Sequence, residues 1–288
     1  MVSGRADKLT DYAVYFILAC IGFIAVFPLL FVVSVSLTPY TEVLKNGGYV
    51  LIPRSVTLNA YHYLFTRTGI PRSFGVTIFL ATVGTLINLA GITSVAYPLS
   101  RKNLPGRSLF LLYILFTMLF SGGLVPTYLI VKQVGLLNTV WAMIIPGAIA
   151  TFHVLIMKSF FENLPNELFE SARIDGAKEI VLLARMVLPL SVPVMLTIGL
   201  FNMVNYWNTF FSAIMYVTNR ELHPLQVIVR NLLLEANQVD EIVNVDDFVP
   251  MVTMNMAAVV IASLPMIIVY PFIQKHFVKG MLIGAIKG

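Results

Sequence analysis

Six apolar runs divide the chain, at about residues 12–37, 73–100, 108–131, 140–157, 194–218 and 251–273. About 20 apolar residues are enough for a helix to cross a bilayer, so each run is a candidate membrane helix. Tyr12 to Thr41 and Ser73 to Ser100 carry no formal charge, and Arg101, Lys102, Pro105 and Gly106 close the second run. Proline and glycine punctuate the others. Pro28 is expected to kink or end the first helix, and Gly122, Gly123 and Pro126 to end the third early, leaving 127–138 along the outer surface. Pro146 and Gly147 sit inside the fourth run and Pro265 interrupts the sixth. The pattern predicts an all-α polytopic membrane protein of six helices and one domain. Residues 42–72 and 219–250 read as external connectors.

The polar stretch 162–193 is different. Pro165 suits helix entry, since its missing N–H costs nothing in a first turn. Asn166, Glu167 and Glu170 then place acceptors and negative charge where the helix dipole favours them. Leu168, Phe169 and Ala172 form an apolar stripe, with Glu170 spaced to pair with Arg173. Gly176, next to Asp175, tolerates the left-handed conformation that stops helices. A second helix is expected from Ala177 to about Val187, broken by Leu188, Pro189 and Pro193. The product is helix, tight turn, helix.

Glu170-Ser171-Ala172, then three residues, Gly176, nine residues and Met186-Val187-Leu188-Pro189 resemble the EAA loop of permease subunits in binding-protein-dependent ABC importers. Ser171 stands for the loop's alanine and Met186 for its isoleucine, both small changes for a packed surface. An ordinary helical hairpin is the alternative. The resemblance implies a type I ABC importer permease fold and a coupling helix that docks on an ATP-binding subunit. Glu170 would supply a polar contact, Ala172 close approach and Gly176 the turn, with Asp175, Ala177, Leu188 and Pro189 completing the motif.

Composition agrees with a membrane setting: 58% of residues are hydrophobic and 11% charged, far below the roughly 25% charged of soluble domains. A net charge of +5 could suggest nucleic acid, but the basic residues are scattered among connectors rather than striped. With the N-terminus inside, twelve lysines and arginines fall in inner segments and seven in outer ones. The positive-inside rule therefore places both termini and 162–193 in the cytoplasm. Cys20, the single cysteine, excludes an internal disulfide. Ile17-Leu18-Ala19-Cys20 is a poor lipoprotein box, because a long apolar run continues past it, and an uncleaved first helix is the better reading.

The fifth run carries Asn202, Asn205, Tyr206, Trp207, Asn208 and Thr209. Amides at membrane depth are costly unless they face protein or water, so they mark either a translocation path or bonds between helices. Sugars are held by amide hydrogen bonds and aromatic faces, which suits the first reading. Asp240, Glu241, Asp246 and Asp247 lack the spacing of a calcium loop and read as a solvated face. His62, His153, His223 and His276 are far apart, and no phosphate-binding loop, zinc-protease motif or nucleophile elbow occurs. No catalytic residue, metal site or cofactor is expected in this chain.

Leu222 to Leu232, the tail from Gln274, and Ser121-Gly122-Gly123-Leu124-Val125-Pro126-Thr127-Tyr128 extend the resemblance to carbohydrate permeases. They look most like the branch serving oligosaccharides from complex polysaccharides, similar to the maltose importer's smaller permease subunit. The implied partners are a second, unequal permease, two ATPase subunits carrying ATP and magnesium, and an extracytoplasmic solute-binding protein, in the inner membrane. Other solutes (a glycerol-phosphate or a peptide) stay open, as does an anionic oligosaccharide such as alginate. An ATP-independent carrier should show inverted repeats or intramembrane ion pairs, and neither is evident.

Overall fold

The computed structural model describes residues 5–174, 176–236 and 251–285. Among them every regular element is helical. Among the described residues three helices are individually long and apolar enough to cross a membrane, and up to six spans result if each bent pair counts as one. Contacts group the chain into two units: 1–70 with 229–264, and 71–228 with 265–288.

In the first unit, α1 (Arg5–Ser36) continues past Pro28, so the helix does not end at that proline. The helix stops at Ser36, where hydroxyls take over its orphan carbonyls: Ser36 Oγ donates to Val33 O at 2.7 Å and Thr38 Oγ1 to Ser34 O at 2.7 Å. The connector after it is structured. It holds α2 (Tyr40–Lys45) and α3 (Asn59–Arg67), with Val35, Val43 and Val50 packed together. The Glu42 carboxylate accepts the Arg54 N–H at 2.9 Å and the Ser55 N–H at 3.3 Å.

The second unit is built on α4 (Ile70–Ser100), a helix with one π turn at Leu80–Gly84. α5 (Arg107–Leu119) and α6 (Leu124–Gln133) form the third run, bent by 113°. The helix ends before the expected glycines, and Pro126 lies in the opening turn of α6, where a proline costs no hydrogen bond. The fourth run is not one helix. Val140–Met143 and Ile145–Gly147 are 3₁₀ turns around Pro146, and α7 (Thr151–Glu162) carries on into the polar stretch.

The hairpin follows as α8 (Asn166–Ile174) and α9 (Glu179–Leu190), the latter with a π turn at Leu183–Val187. α9 ends at Leu190, inside the predicted break at 188–193, and the chain bends by 79° at Ser191 into α10 (Val192–Trp207). The fifth run breaks after Trp207 and resumes as α11 (Phe211–Tyr216). The connector beyond contains α12 (Leu225–Ala236), a helix within the stretch expected to be an external loop; its Leu225, Ile228, Val229 and Leu232 show helical spacing. α13 (Met251–Ala285) continues through Pro265 and Pro271, so the expected interruption is absent. Asp175, Asp240, Glu241, Asp246 and Asp247 lie outside the described residues.

The core of the second unit joins α4, α7, α8, α9 and α10 through Ile92, Ala96, Tyr97, Val154, Met157, Phe161, Phe169, Val187 and Ile198.

Candidate functional site

Two polar regions of the second unit carry the chemistry. The first is the hairpin. A nine-residue helix is too short to stand alone in water, so α8 depends on its docking. Phe169 points inward and is 4% exposed, while Glu170 and Ile174 face out, Ile174 at 86%. The turn closes as predicted. Gly176 has φ 76°, its N–H donates to Arg173 O at 3.0 Å, and the Ala177 N–H reaches Ala172 O at 2.9 Å. That pairing is the glycine-terminated helix stop. A Cβ at Gly176 would meet no atom within 4 Å, so the backbone angle alone demands glycine. Ala172 and Ala177 are half-buried, as is Leu188, and Pro189 is exposed.

Arg173 does not pair with Glu170. Its Nη2 and Nε contact Glu179 Oε1 on α9 at 2.8 and 3.2 Å, bracing the two arms across the turn. Glu179 Oε2 also accepts the Tyr97 hydroxyl from α4 at 2.6 Å. Arg101 lies over two aromatic rings, 4.5 Å from Tyr97 and 3.9 Å from Phe169. Glu162 pairs with Arg107 and with Lys158 (2.9 Å), and Arg107 Nε donates to Leu99 O at 2.8 Å, capping α4. A cavity of about 260 Å³ opens between the end of α4 and α8, lined in part by Arg101, Glu170 and Arg173.

The sequence reading missed Tyr97, Arg101 and Glu179 as members of this region. Arg101 had counted only as inside positive charge. A tyrosine four residues before an arginine at a helix end was the available signal. The partner glutamate, 82 residues from the tyrosine, was beyond local pattern.

The second region is the amide cluster of α10, which the structure divides. Asn202 is 3% exposed and its Nδ2 donates to Asn88 Oδ1 on α4 at 3.0 Å. Tyr206 is buried with its hydroxyl 3.5 Å from Ile144 O, and a Cβ on Gly84 would meet its ring at 2.9 Å. Trp207 packs edge-on against Phe74. These three join helices. Asn205 and Asn208 are exposed, one helical turn apart, with Phe201 43% exposed on the same face. The His153 ring, half-buried, stacks on Phe201 with an interplanar angle of 10°.

Residues 91–283 match the family described as binding-protein-dependent transport system inner membrane component. The chain belongs to this family. It is a membrane-embedded permease subunit of the ABC importer class, the family its EAA-like loop resembled. The permease is 42% identical over 292 residues to Protein LplC of Bacillus subtilis (strain 168), covering 100% of this chain and 98% of that protein. It is 40% identical over 285 residues to the polygalacturonan/rhamnogalacturonan transport system permease protein YtcP of the same organism, covering 98% and 99%. Its fold matches a chain from the crystal structure of a bacterial ABC transporter involved in the import of the acidic polysaccharide alginate. The TM-score is 0.87 at 29% identity, over 96% of this chain and 99% of that one.

Proposed function

We propose that this permease carries oligosaccharides derived from complex polysaccharides into the cytoplasm. It would do so as one of two unequal membrane subunits, with two ATPase subunits inside and a solute-binding protein outside. The observation that carries the coupling is the closed hairpin, whose outer face offers Glu170 and Ile174 to a partner while its inner face is locked to α4. The substrate class rests on full-length relatives, one named for polygalacturonan/rhamnogalacturonan transport and one from a transporter involved in import of the acidic polysaccharide alginate. Both termini and 162–193 would be cytoplasmic by the charge balance of the connectors.

ATP and magnesium would be held by the partner ATPase, since no phosphate-binding loop occurs in this sequence. Closure of the ATPases would push the hairpin and exchange outward and inward access of a central path. Asn205 and Asn208 would line that path, with the Phe201 face beside them for sugar C–H surfaces. Asn202, Tyr206 and Trp207 would hold the scaffold.

The test is purification of tagged permease with its co-expressed neighbouring genes, followed by ATP hydrolysis with and without the binding protein and candidate oligosaccharides. Co-purification of an ATPase stimulated only by one loaded binding protein is expected. Purification alone, with uptake that needs no ATP, would contradict the proposal, and stimulation by a phosphodiester or peptide would move the substrate class.

A further inference from the structure

We propose that the hairpin's motion enters the membrane through α4, and that Tyr97, Arg101 and Glu179 form the joint that transmits it. The proposal rests on the importer reading and adds to it the route and the residues.

Two routes lead from the hairpin toward the amide cluster. One is covalent, along α9, through its π turn and the 79° bend at Ser191 into α10. π turns inside helices and sharp bends are places where a helix yields, so this route is compliant. The other is non-covalent and stiff. Arg173 and Glu179 brace α8 to α9, the Tyr97 hydroxyl holds Glu179 at 2.6 Å, and the Arg101 guanidinium is stacked between the Tyr97 and Phe169 rings. Both arms are thereby fixed to the last turn of one helix. From Tyr97 that helix runs nine residues, about 14 Å, to Asn88, with no π turn between. Asn88 then bonds Asn202 at 3.0 Å, and one turn further Gly84 sits against the Tyr206 ring. One helix, with Pro98 in its last turn and no π turn between Tyr97 and Asn88, therefore connects the hairpin to the scaffold of the amide cluster.

Chemistry separates the joint from a mere packing contact. Arg173 and Glu179 side chains are 47% and 53% exposed, so their ion pair is screened and adds little stability. A hydroxyl to an ionised carboxylate is directional, and a guanidinium between two rings resists tilt. These contacts fix the angle of the hairpin on α4 more than they stabilise the fold. Tyr97, Arg101 and Glu179 are positioning residues; none is placed on the proposed sugar path.

The experiment reconstitutes the whole transporter in vesicles and reads both binding-protein-stimulated ATP hydrolysis and oligosaccharide uptake. Tyr97→Phe removes one oxygen and keeps the ring stack, while Glu179→Gln, at a half-exposed position, keeps the shape and loses the charge. Each is expected to assemble at wild-type level and hydrolyse ATP within about twofold of wild type. Uptake per ATP is expected to fall about tenfold, inside the 5–150-fold range typical of coupled sites. The double variant should be no worse than the poorer single one, because both changes remove one contact.

Proportionate loss of hydrolysis and uptake would overturn the joint, as would unchanged uptake per ATP or losses that multiply in the double variant. Should Tyr97→Phe fail to accumulate, Glu179→Gln alone decides by the same ratio. If the unaltered assembly hydrolyses no ATP, the importer reading fails at that step, before any variant is compared, and the joint falls with it.

Discussion

Two of the polar contacts that α4 makes, at Asn88 and at Tyr97, are built differently. At Asn88 the partners are neutral, buried and few: an amide pair at 3.0 Å, with a tyrosine ring against a glycine one turn away. At Tyr97 they are charged, half-exposed and drawn from three further segments, the two arms of the hairpin and the loop after α4. The first arrangement is costly to open, because each half would be left as an unpaired polar group away from water. The second can be re-formed at another angle, since water is at hand for the half-exposed Arg173 and Glu179. Of the stretch from Gly84 to Ser100, one end is glued and the other jointed.

The largest effect should come from forcing the glued end. Gly84→Leu drives a side chain into the Tyr206 ring, where even a Cβ stands at 2.9 Å, and overpacking of this kind costs about 1–3 kcal/mol or more. Loss of folded permease from the membrane is expected, with partial recovery when Tyr206→Leu is added; immunoblot and thermal melting in detergent report both. Asn88→Leu should destabilise by about 1–3 kcal/mol because Asn202 is stranded, whereas Asn88→Leu with Asn202→Leu should melt close to wild type. A double variant as poor as the single would show that the amides do more than pair.

At the jointed end the expected change is in activity rather than stability. Gly176→Val places a β-branched residue at φ 76°, a strain of about 1–2 kcal/mol, confined to the turn. Insertion should survive and ATP-dependent uptake should be lost. Gly176→Asp is expected to be milder, because aspartate enters the left-handed region more readily. Uptake assays beside quantified membrane levels would sort the two.

Between the regions, Asn205→Leu and Asn208→Leu should leave melting within about 0.5 kcal/mol, as for other surface changes, yet raise the oligosaccharide concentration needed for half-maximal uptake. Asn202→Leu should do the reverse, lowering the melting point with little change in that concentration.

The smallest effect lies away from both, at Glu42. Its carboxyl is held below the usual range first by the Arg54 N–H and then by Ser55. A carboxylate depressed in the folded state contributes stability above its ordinary pKa and loses it as pH falls through the folded value. Melting of wild type and Glu42→Gln should therefore differ at neutral pH and converge in acid.

Much of this plan could be read from the sequence. Long apolar runs, the Gly176 turn and the spacing from Glu170 to Pro189 depend on local rules of hydropathy and helix termination, and the structure has a helix stop at Gly176. Breaks were harder. Prolines at 28, 265 and 271 lie inside helices, while Asn208–Phe210 interrupt a run that hydropathy shows as continuous. Hydropathy reports solvent preference and is blind to the direction of the chain. The split of the amides was illegible for another reason. Asn202, Asn205 and Asn208 are chemically identical, and only the position of Asn88, 114 residues away, decides which is buried.

The central claim is that the hairpin's outer face meets an ATPase, and cross-linking tests it most directly. Ile174→Cys, at a position 86% exposed, would be made in a Cys20→Ser background, labelled with a thiol-reactive photoactivatable cross-linker that inserts into any neighbouring C–H bond, and irradiated in membranes holding the full set of partners. The account predicts a cross-link to the ATPase subunit whose yield changes when ATP is added. Absence of that cross-link, with uptake intact in the same membranes, would contradict it.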